Sequence, residues 1–476
     1  MADLSVFFMP HPPVIIPEIG GGQENRVIKT IQGMHKLGKL AGKIKPKTII
    51  YVTPHGNNFS NGTCILNENV LDGNFSAYGH PDIKLSKKVN QFLSMEIFNA
   101  FERADNISVL MDNKLAKEYG VQVCLDNGTM VPMYYINQYY NDYEMVHIAP
   151  GFTSLRENYY LGQLIQSVAK EIDESVLLVC SGDLSHALMD EGPYDYHPSG
   201  DIFDKKIQQA IIDRDPLSLI TMDNEIIEQA GQCGLRSFLI GFGYVDGVGY
   251  ESKVISYEGP FGVGYLTGFL KENINKKNPS LLKKIDEYAI DIYEKKKLQE
   301  DEYIKLARKS IETYVKTFKK LNFEKVKDEF SDDFIEETKD EKSGVFVSIH
   351  IQGNLRGCIG TIYPSQDSLI EEIIYNSINA CSNDPRFNAV EEWELLQIDI
   401  KVDVLGEPEF IQSIEQLDIV KYGVIVEKGS KSGLLLPNLE GINSVDEQIE
   451  IAMNKANINN KEGMKLYRFE VIRHER

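Results

Sequence analysis

The chain has 476 residues, a length that corresponds to two or three domains, and its 42% hydrophobic and 25% charged content is ordinary for a globular protein. Its formal net charge of −21 argues against broad binding of nucleic acid. Because no apolar run approaches the roughly 20 residues that span a bilayer and the N-terminus lacks a signal-peptide core, we expect a cytoplasmic protein without membrane segments.

The first part of the chain, residues 1–272, alternates strand-like with helix-like segments. Short runs rich in β-branched and aromatic residues predict strands at 4–8, 48–52, 145–148 and 175–180. Intervening segments predict helices at 25–40, 83–101 and 161–171. This alternation is typical of an α/β domain with a mostly parallel sheet flanked by helices.

A change of composition follows. Residues 273–322 hold 13 Lys or Arg against 8 Asp or Glu, and we interpret 273–301 as a basic helical linker, with a docking site for an acidic partner as the alternative. Residues 302–476 predict an α+β domain, with strands at 344–350, 398–404 and 423–427 and helices at 368–380 and 445–456.

Chemistry-bearing residues are sparse and dispersed. The six cysteines are at least 23 residues apart, so the sequence has no compact zinc or iron–sulfur motif. Three histidines, however, each follow a predicted strand: His11, His55 and His186. The carboxyl ends of parallel strands share one edge of a sheet, and we therefore expect these three imidazoles to converge.

Converging neutral imidazoles are suited to metal binding and to proton transfer. Two histidine ligands would need a third, and Glu228, Gln232 and Cys233 are the candidates within one later segment. Asp183 precedes His186 by three residues and is a candidate to orient that loop, while His197 is a candidate pocket residue.

The segments around these histidines and Cys233 resemble the class III extradiol dioxygenases (LigB-like) and their MEMO branch, over about residues 4–270. The resemblance implies that His11 and His55 bind a metal, that His186 is the acid/base, and that Cys233 occupies the position of a glutamate ligand. Fe(II) is the expected ion, with copper and zinc as alternatives. Residues 126–132 resemble a motif whose histidine lies near substrate, but Asn127 stands there, and an amide cannot shuttle a proton.

The hexapeptide Leu355–Gly360, Leu-Arg-Gly-Cys-Ile-Gly, resembles the signature of the AMMECR family, and Asp384-Pro-Arg-Phe387 falls on a further landmark. The resemblance implies an α+β fold and a second site of Arg356, Cys358 and Arg386. Without the resemblance, the hexapeptide is interpreted as a glycine turn that serves backbone geometry, with a site of one cation and one thiol as the alternative. Fusion of the two halves resembles proteins of bacterial and archaeal systems that include a radical-SAM partner.

Together these features predict a non-haem metal-dependent oxidoreductase acting on a small aromatic or phenolic substrate. The reaction would be ring cleavage, or a hydroxylation or other tailoring step in an anaerobic system. The alternatives are a non-catalytic binding or scaffold protein of MEMO type and a zinc hydrolase, and assembly into a homo-oligomer stays open.

Overall fold

A computed structural model describes residues 4–59, 62–351, 353–439 and 441–475. The chain divides into two compact units, of which the first ends at Asp286 and the second begins at Glu287. None of the helices in these described ranges is long and apolar enough to cross a membrane.

Among the described residues, ten strands and ten α-helices lie wholly within the first unit. The strands are β1 (Ser5–Met9), β2 (Thr48–Val52), β3 (Thr63–Leu66), β4 (Val70–Phe75), β5 (His80–Lys88), β6 (Ser108–Met111), β7 (Glu144–Ala149), β8 (Val176–Ser181), β9 (Tyr250–Glu258) and β10 (Tyr265–Glu272). The helices are α1 (Pro17–Gly20), α2 (Ile28–Ile44), α3 (Gln91–Arg103), α4 (Asn113–Tyr119), α5 (Asn127–Asn137), α6 (Leu155–Glu171), α7 (Pro198–Asp213), α8 (Leu217–Ile220), α9 (Asn224–Ala230) and α10 (Leu235–Tyr244).

Eight strands form one sheet in the order β6-β3-β7-β2-β8-β1-β10-β9. The centre is parallel, since β2 pairs with both β7 and β8, and β8 pairs with β1 in the same sense. Antiparallel pairs flank this centre, with β3 on β7, β10 on β1 and β9 on β10. The predicted α/β class with a mostly parallel sheet is confirmed, and the antiparallel pairs make the complete sheet mixed.

Hydrophobic cores cover both faces of this sheet. Successive strand residues point to opposite faces, and in β1 Val6 and Phe8 join one core while Phe7 and Met9 join the other. Helices α3, α6, α7 and α10 contribute to the first core, and α2 and α5 to the second. Burial on both faces explains why the central strands read as continuous apolar runs.

The helix predicted over 83–101 is wrong in its first part. Residues His80–Lys88 form β5, a hairpin partner of β4 in which Leu71 faces Lys87 and Gly73 faces Leu85. Ile83 and Leu85 alternate with polar residues, which is the period of a strand, and only Asn90 caps the true helix by accepting from the Leu93 amide.

Helix α11 (Leu282–Lys297) lies in the segment interpreted as a linker, and the division between the units falls within it. The second unit then contains α12 (Glu302–Thr317), α13 (Asp332–Thr338), α14 (Leu369–Ser382), α15 (Val445–Lys455), β11 (Val345–Ile351), β12 (Asn354–Gly360), β13 (Ile398–Leu405), β14 (Glu409–Ile411), β15 (Gly423–Lys428), β16 (Lys431–Leu435), β17 (Lys465–Phe469) and β18 (Val471–His474).

These strands form two antiparallel four-stranded sheets, in the orders β12-β11-β13-β18 and β14-β17-β15-β16. Helices α12 and α14 share a core with β11 and β13, while α15 shares another with β15 and β16. The predicted α+β class of this part is confirmed.

Candidate metal centre

Three histidines lie at one edge of the first sheet. His11 follows the end of β1 by two residues, His55 follows the end of β2 by three, and His186 follows the end of β8 by five. Because β8 is the parallel neighbour of both β1 and β2, their carboxyl ends lie together. This register brings together side chains that are 44 and 131 residues apart in sequence.

His11, His55 and Cys233 form a group whose ligand atoms all lie within 4.8 Å of one another. The rings of His11 and His55 meet edge to face, with centroids 4.7 Å apart. His11 Nδ1 is 2.8 Å from Ser181 Oγ, and its Nε2 is 3.7 Å from Cys233 Sγ. One ring nitrogen of His11 is thus hydrogen-bonded to the serine, and the other faces the thiol. This is the arrangement of metal-binding histidines, which use one nitrogen for the metal and the other for a hydrogen bond.

Cys233 reaches this position because two glycines allow their backbones to touch. A Cβ built on Gly182 would lie only 2.2 Å from the Gly234 Cα. Next to this contact the Asp183 amide donates to Cys233 Sγ over 3.3 Å, and the Cys233 amide donates to the Asp183 carbonyl over 3.3 Å. The loop after β8 therefore holds the cysteine against His11.

Burial controls the protonation of this group. It lowers the pKa of His11 to about 4 and also lowers the pKa of His55. Both imidazoles are therefore neutral near pH 7, which is the form that binds a metal. Burial and the neighbouring Asp183 raise the pKa of the Cys233 thiol, so metal binding there would have to displace a proton.

Asp183 and His186 line the same edge. Asp183 is 6% exposed, accepts from the His11 amide over 2.9 Å, and has its pKa raised to about 6 by burial. His186 is half-buried and stacks on Tyr194, with ring centroids 5.8 Å apart. Burial lowers the pKa of His186 although Asp183 opposes the shift, which leaves a neutral base beside His11 and His55.

The remaining candidates take other positions. Asn127 is the first residue of α5 and is half-buried. His197 caps α7, its Nδ1 accepting from the Ser199 amide over 3.2 Å. Gln232 caps the Leu235 amide at the start of α10, and Glu228 is exposed on α9, so of the three third-ligand candidates Cys233 is the one that joins the histidines.

Sequence reasoning missed four neighbours of this site: Ser181, Tyr194, Asp126 and His147. His147 Nε2 lies 2.8 Å from Asp126 Oδ2, and Thr53 donates to Asp126 Oδ1 over 2.6 Å. The sequence held a signal that could have identified two of them. His147 lies in the predicted strand 145–148, and Asp126 directly precedes Asn127, which was already a candidate pocket residue.

In the second unit, Arg356 has a supporting role. Its guanidinium binds Glu394 through two bonds of 2.7 and 2.9 Å and donates to the carbonyls of Asn388 and Ala389. The adjacent Gly357 allows α14 to approach, because a Cβ there would lie 2.2 Å from the Ala380 carbonyl oxygen. Two residues of the hexapeptide thus serve the packing of this unit.

Cys358 and Arg386 do lie together. The Cys358 amide donates to Asp384 Oδ2 over 2.8 Å, and Arg386 donates both to Asp384 and to the Cys358 carbonyl. Burial raises the pKa of the Cys358 thiol, although a hydrogen bond from Ser348 and the charge of Arg386 oppose this shift. A thiol in this state is a weak nucleophile.

Comparison with known proteins agrees with both halves of this description. Residues 5–269 match the family model of the catalytic LigB subunit of aromatic ring-opening dioxygenase. The chain belongs to this LigB family. Residues 304–474 match the AMMECR1 family model, so both resemblances seen in the sequence are confirmed.

Similar proteins come from bacteria and archaea. A protein of Clostridium acetobutylicum is 41% identical over 470 residues, which cover 98% of each chain. A protein of Thermotoga maritima is 42% identical over 178 residues, or 37% of this chain and 98% of its own. Among solved structures, an uncharacterised protein of Pyrococcus horikoshii is 32% identical, with a TM-score of 0.32 over 36% of this chain and 88% of its own.

Proposed function

We propose that the first unit is a non-haem metal centre, with Fe(II) held by His11, His55 and Cys233, and that it acts on a small aromatic or phenolic substrate. The observation that carries the proposal is the convergence of three donor atoms within 4.8 Å of one another at the carboxyl edge of a parallel sheet. Membership of the LigB family supports the same chemistry.

The donor set fits a soft or borderline divalent ion. Two imidazoles and a thiolate suit Fe(II) and copper, and zinc shares the same preferences. The Ser181 hydroxyl oxygen is placed to accept a hydrogen bond from Nδ1–H of His11, which would leave Nε2 without a proton and able to bind a metal, because metal-binding histidines donate their second ring N–H in this way. A bound divalent ion would act as a Lewis acid on a phenolic oxygen.

The chain's own residues would position and deprotonate the substrate. His186 is a half-buried neutral imidazole, and it would accept the proton from the substrate hydroxyl and return it later. Its stacking on Tyr194 would restrict the ring to one plane. Asp183 would hold the loops of His11 and Cys233 in place through its side-chain and backbone bonds.

The reaction we propose is ring cleavage or a hydroxylation-type tailoring step. For tailoring without dioxygen we propose a radical-SAM protein as the partner that supplies the radical chemistry, because fusion of the two halves resembles proteins of systems that include such an enzyme.

Metal analysis of protein purified without oxygen tests the proposal. We expect about one iron per chain in the wild type and loss of iron in both His11→Ala and His55→Ala, since each removes one donor. His80→Ala is the matched control, because His80 lies on the β4–β5 hairpin. Uptake of no ion by the folded wild type, or full iron in His11→Ala, would contradict the metal centre; retention of zinc in place of iron would favour a hydrolase.

A non-catalytic ligand-binding protein is the second candidate, and Asn127 is the observation that favours it. An amide at the first position of α5 can hydrogen-bond to a bound phenol but cannot transfer its proton. Phenol binding that persists in the His11→Ala protein, together with no turnover in the wild type, would support this candidate over the enzyme.

A further inference from the structure

A largely buried carboxylate, Asp126, lies near His11 and His55, and the proposed function does not use it. Asp126 precedes α5, and its side chain is only 12% exposed. Four groups form hydrogen bonds with its two oxygens. The Thr53 hydroxyl and the Thr129 amide bond to Oδ1, and the Thr129 hydroxyl and the His147 ring bond to Oδ2. Capping of the helix needs one of these bonds, so the other three require a further explanation.

Thr53 links this carboxylate to a metal ligand. Its hydroxyl donates to Asp126 Oδ1 over 2.6 Å and accepts from the backbone amide of His55 over 3.2 Å. Thr53 is fully buried, and a Cβ on Gly128 would lie 2.2 Å from its hydroxyl oxygen. The hydroxyl is therefore confined between the first turn of α5 and the loop that carries His55.

His147 holds the other oxygen of the carboxylate. The residue is fully buried on β7, its Nε2 is 2.8 Å from Asp126 Oδ2, and among the described residues nothing bonds to its Nδ1. The proton of a neutral ring is consequently on Nε2, where it is donated to the carboxylate. This single bond ties β7 to the start of α5.

The charge of Asp126 also acts on the metal group. Burial raises the pKa of this carboxyl, but its interactions with His147, Thr53 and His11 together hold the pKa well below its usual range. The resulting anion opposes the loss of positive charge at both His11 and His55. A fixed negative charge at this place would also favour a divalent cation bound between those rings.

We propose that Asp126 is a positioning residue of the metal centre, fixing the His55 loop through Thr53 and being fixed itself by His147. This inference rests on the proposed function, because the ion that His55 helps to bind is the one proposed above. Asp126 itself is not a ligand in this proposal. It acts on the ion only through its charge and through the loop.

Affinity for Fe(II) and Co(II) ions alone, measured by competition with a chelator, tests the proposal. We expect Asp126→Asn and Thr53→Val to weaken binding by about 10- to 100-fold, as loss of an outer partner of a metal ligand typically does. Thr53→Ser keeps the hydroxyl and should restore affinity. Asp112→Asn is the matched control, because Asp112 caps α4 through the same three-residue spacing away from the histidines.

Amide hydrogen exchange at His55 in the metal-free protein provides a second readout. Thr53→Val removes the acceptor of this amide, and Asp126→Asn leaves the hydroxyl less firmly held, so both should speed exchange while Thr53→Ser should not. A mere loss of stability would speed exchange across the whole unit rather than at this loop.

The outcomes separate this inference from the proposed function. Wild-type affinity in both folded variants, with an unchanged Co(II) absorption spectrum, would overturn the positioning role and leave the metal centre intact. If the wild type binds no ion, the proposed metal centre is contradicted, and hydrogen exchange at the His55 amide alone then tests the positioning role of Asp126. Faster exchange in the two variants then supports the positioning of the loop, and unchanged exchange overturns it.

Discussion

Replacing Gly182 by alanine is expected to move Cys233 away from His11. The new Cβ would lie 2.2 Å from the Gly234 Cα, whereas carbon atoms in ordinary contact are about 3.5 Å apart. The two backbones would have to separate by about 1.3 Å, the difference between these distances. Metal ligands tolerate errors of only about 0.2 Å, so a shift of this size at the residue next to Cys233 should impair binding.

Two effects should follow from this displacement. Overpacking of this kind costs about 1–3 kcal/mol of unfolding free energy, and each kcal/mol lowers the melting temperature of a unit of this size by roughly 2 °C. Affinity for Fe(II) should fall by about 10- to 100-fold. Calorimetry and chelator competition under anaerobic conditions measure the two effects separately.

Gly243→Ala is the matched control for this variant. A Cβ on Gly243 would lie 1.9 Å from the Tyr159 carbonyl oxygen, so the clash is at least as severe, but it lies between α6 and α10 and leaves the Gly182–Gly234 contact in place. We expect a lower melting temperature with undiminished affinity. Equal loss of affinity in both variants, or full affinity in Gly182→Ala, would refute the reasoning.

Three further predictions concern stability. Burial raises the pKa of Asp204 to about 7, so the folded state retains a proton that the unfolded state loses above about pH 4. As the pH rises from about 4 to 7, this group should therefore lower the free energy of unfolding by about 1.4 kcal/mol for each pH unit. Asp204→Asn should remove this pH dependence in denaturant titrations. Arg356→Ala should cost about 3–5 kcal/mol in chemical denaturation, because it leaves the buried carboxylate of Glu394 without a cation to pair with. Phe318 ends α12 in the left-handed region at φ 56° with 81% of its surface exposed, so Phe318→Gly should raise stability by about 1 kcal/mol in thermal melts.

Each of these has a comparison that could contradict it. A pH slope that persists in Asp204→Asn would assign it to other groups. Removing Lys295 from its exposed pair with Asp291 should cost much less stability than removing Arg356, and an equal cost in the two variants would contradict the effect of burial. Phe318→Ala removes the same side chain without relieving the backbone, so it should not match the gain from glycine.

The order of helices and strands was largely predictable from local patterns. Strands such as β2 and β8 are short, apolar on both faces and separated by helical segments, which is typical of a parallel sheet. The helix prediction around Ile83 is wrong because the strand alternation there involves only Ile83 and Leu85 and continues directly into the helical pattern of α3. Only the pairing of β5 with β4 distinguishes them.

The candidate site was predictable only in part. The position of His11, His55 and His186 after strands identified the edge at which they meet, because parallel strands place their carboxyl ends together. No local rule could select Cys233 over Glu228 or Gln232, since the choice depends on a backbone contact between residues 52 positions apart, at Gly182 and Gly234.

The sequence by itself determined the two-part organisation and the residue types available for chemistry. Composition, periodicity and the scarcity of cysteine and histidine are properties of the chain alone. Tertiary structure decided which of those residues act together, because hydrogen bonds such as those of Asp126 with Thr53 and His147 join distant segments. Such contacts produce no periodic pattern in a sequence. The free energies of these hydrogen bonds depend on burial, which exists only in the folded chain.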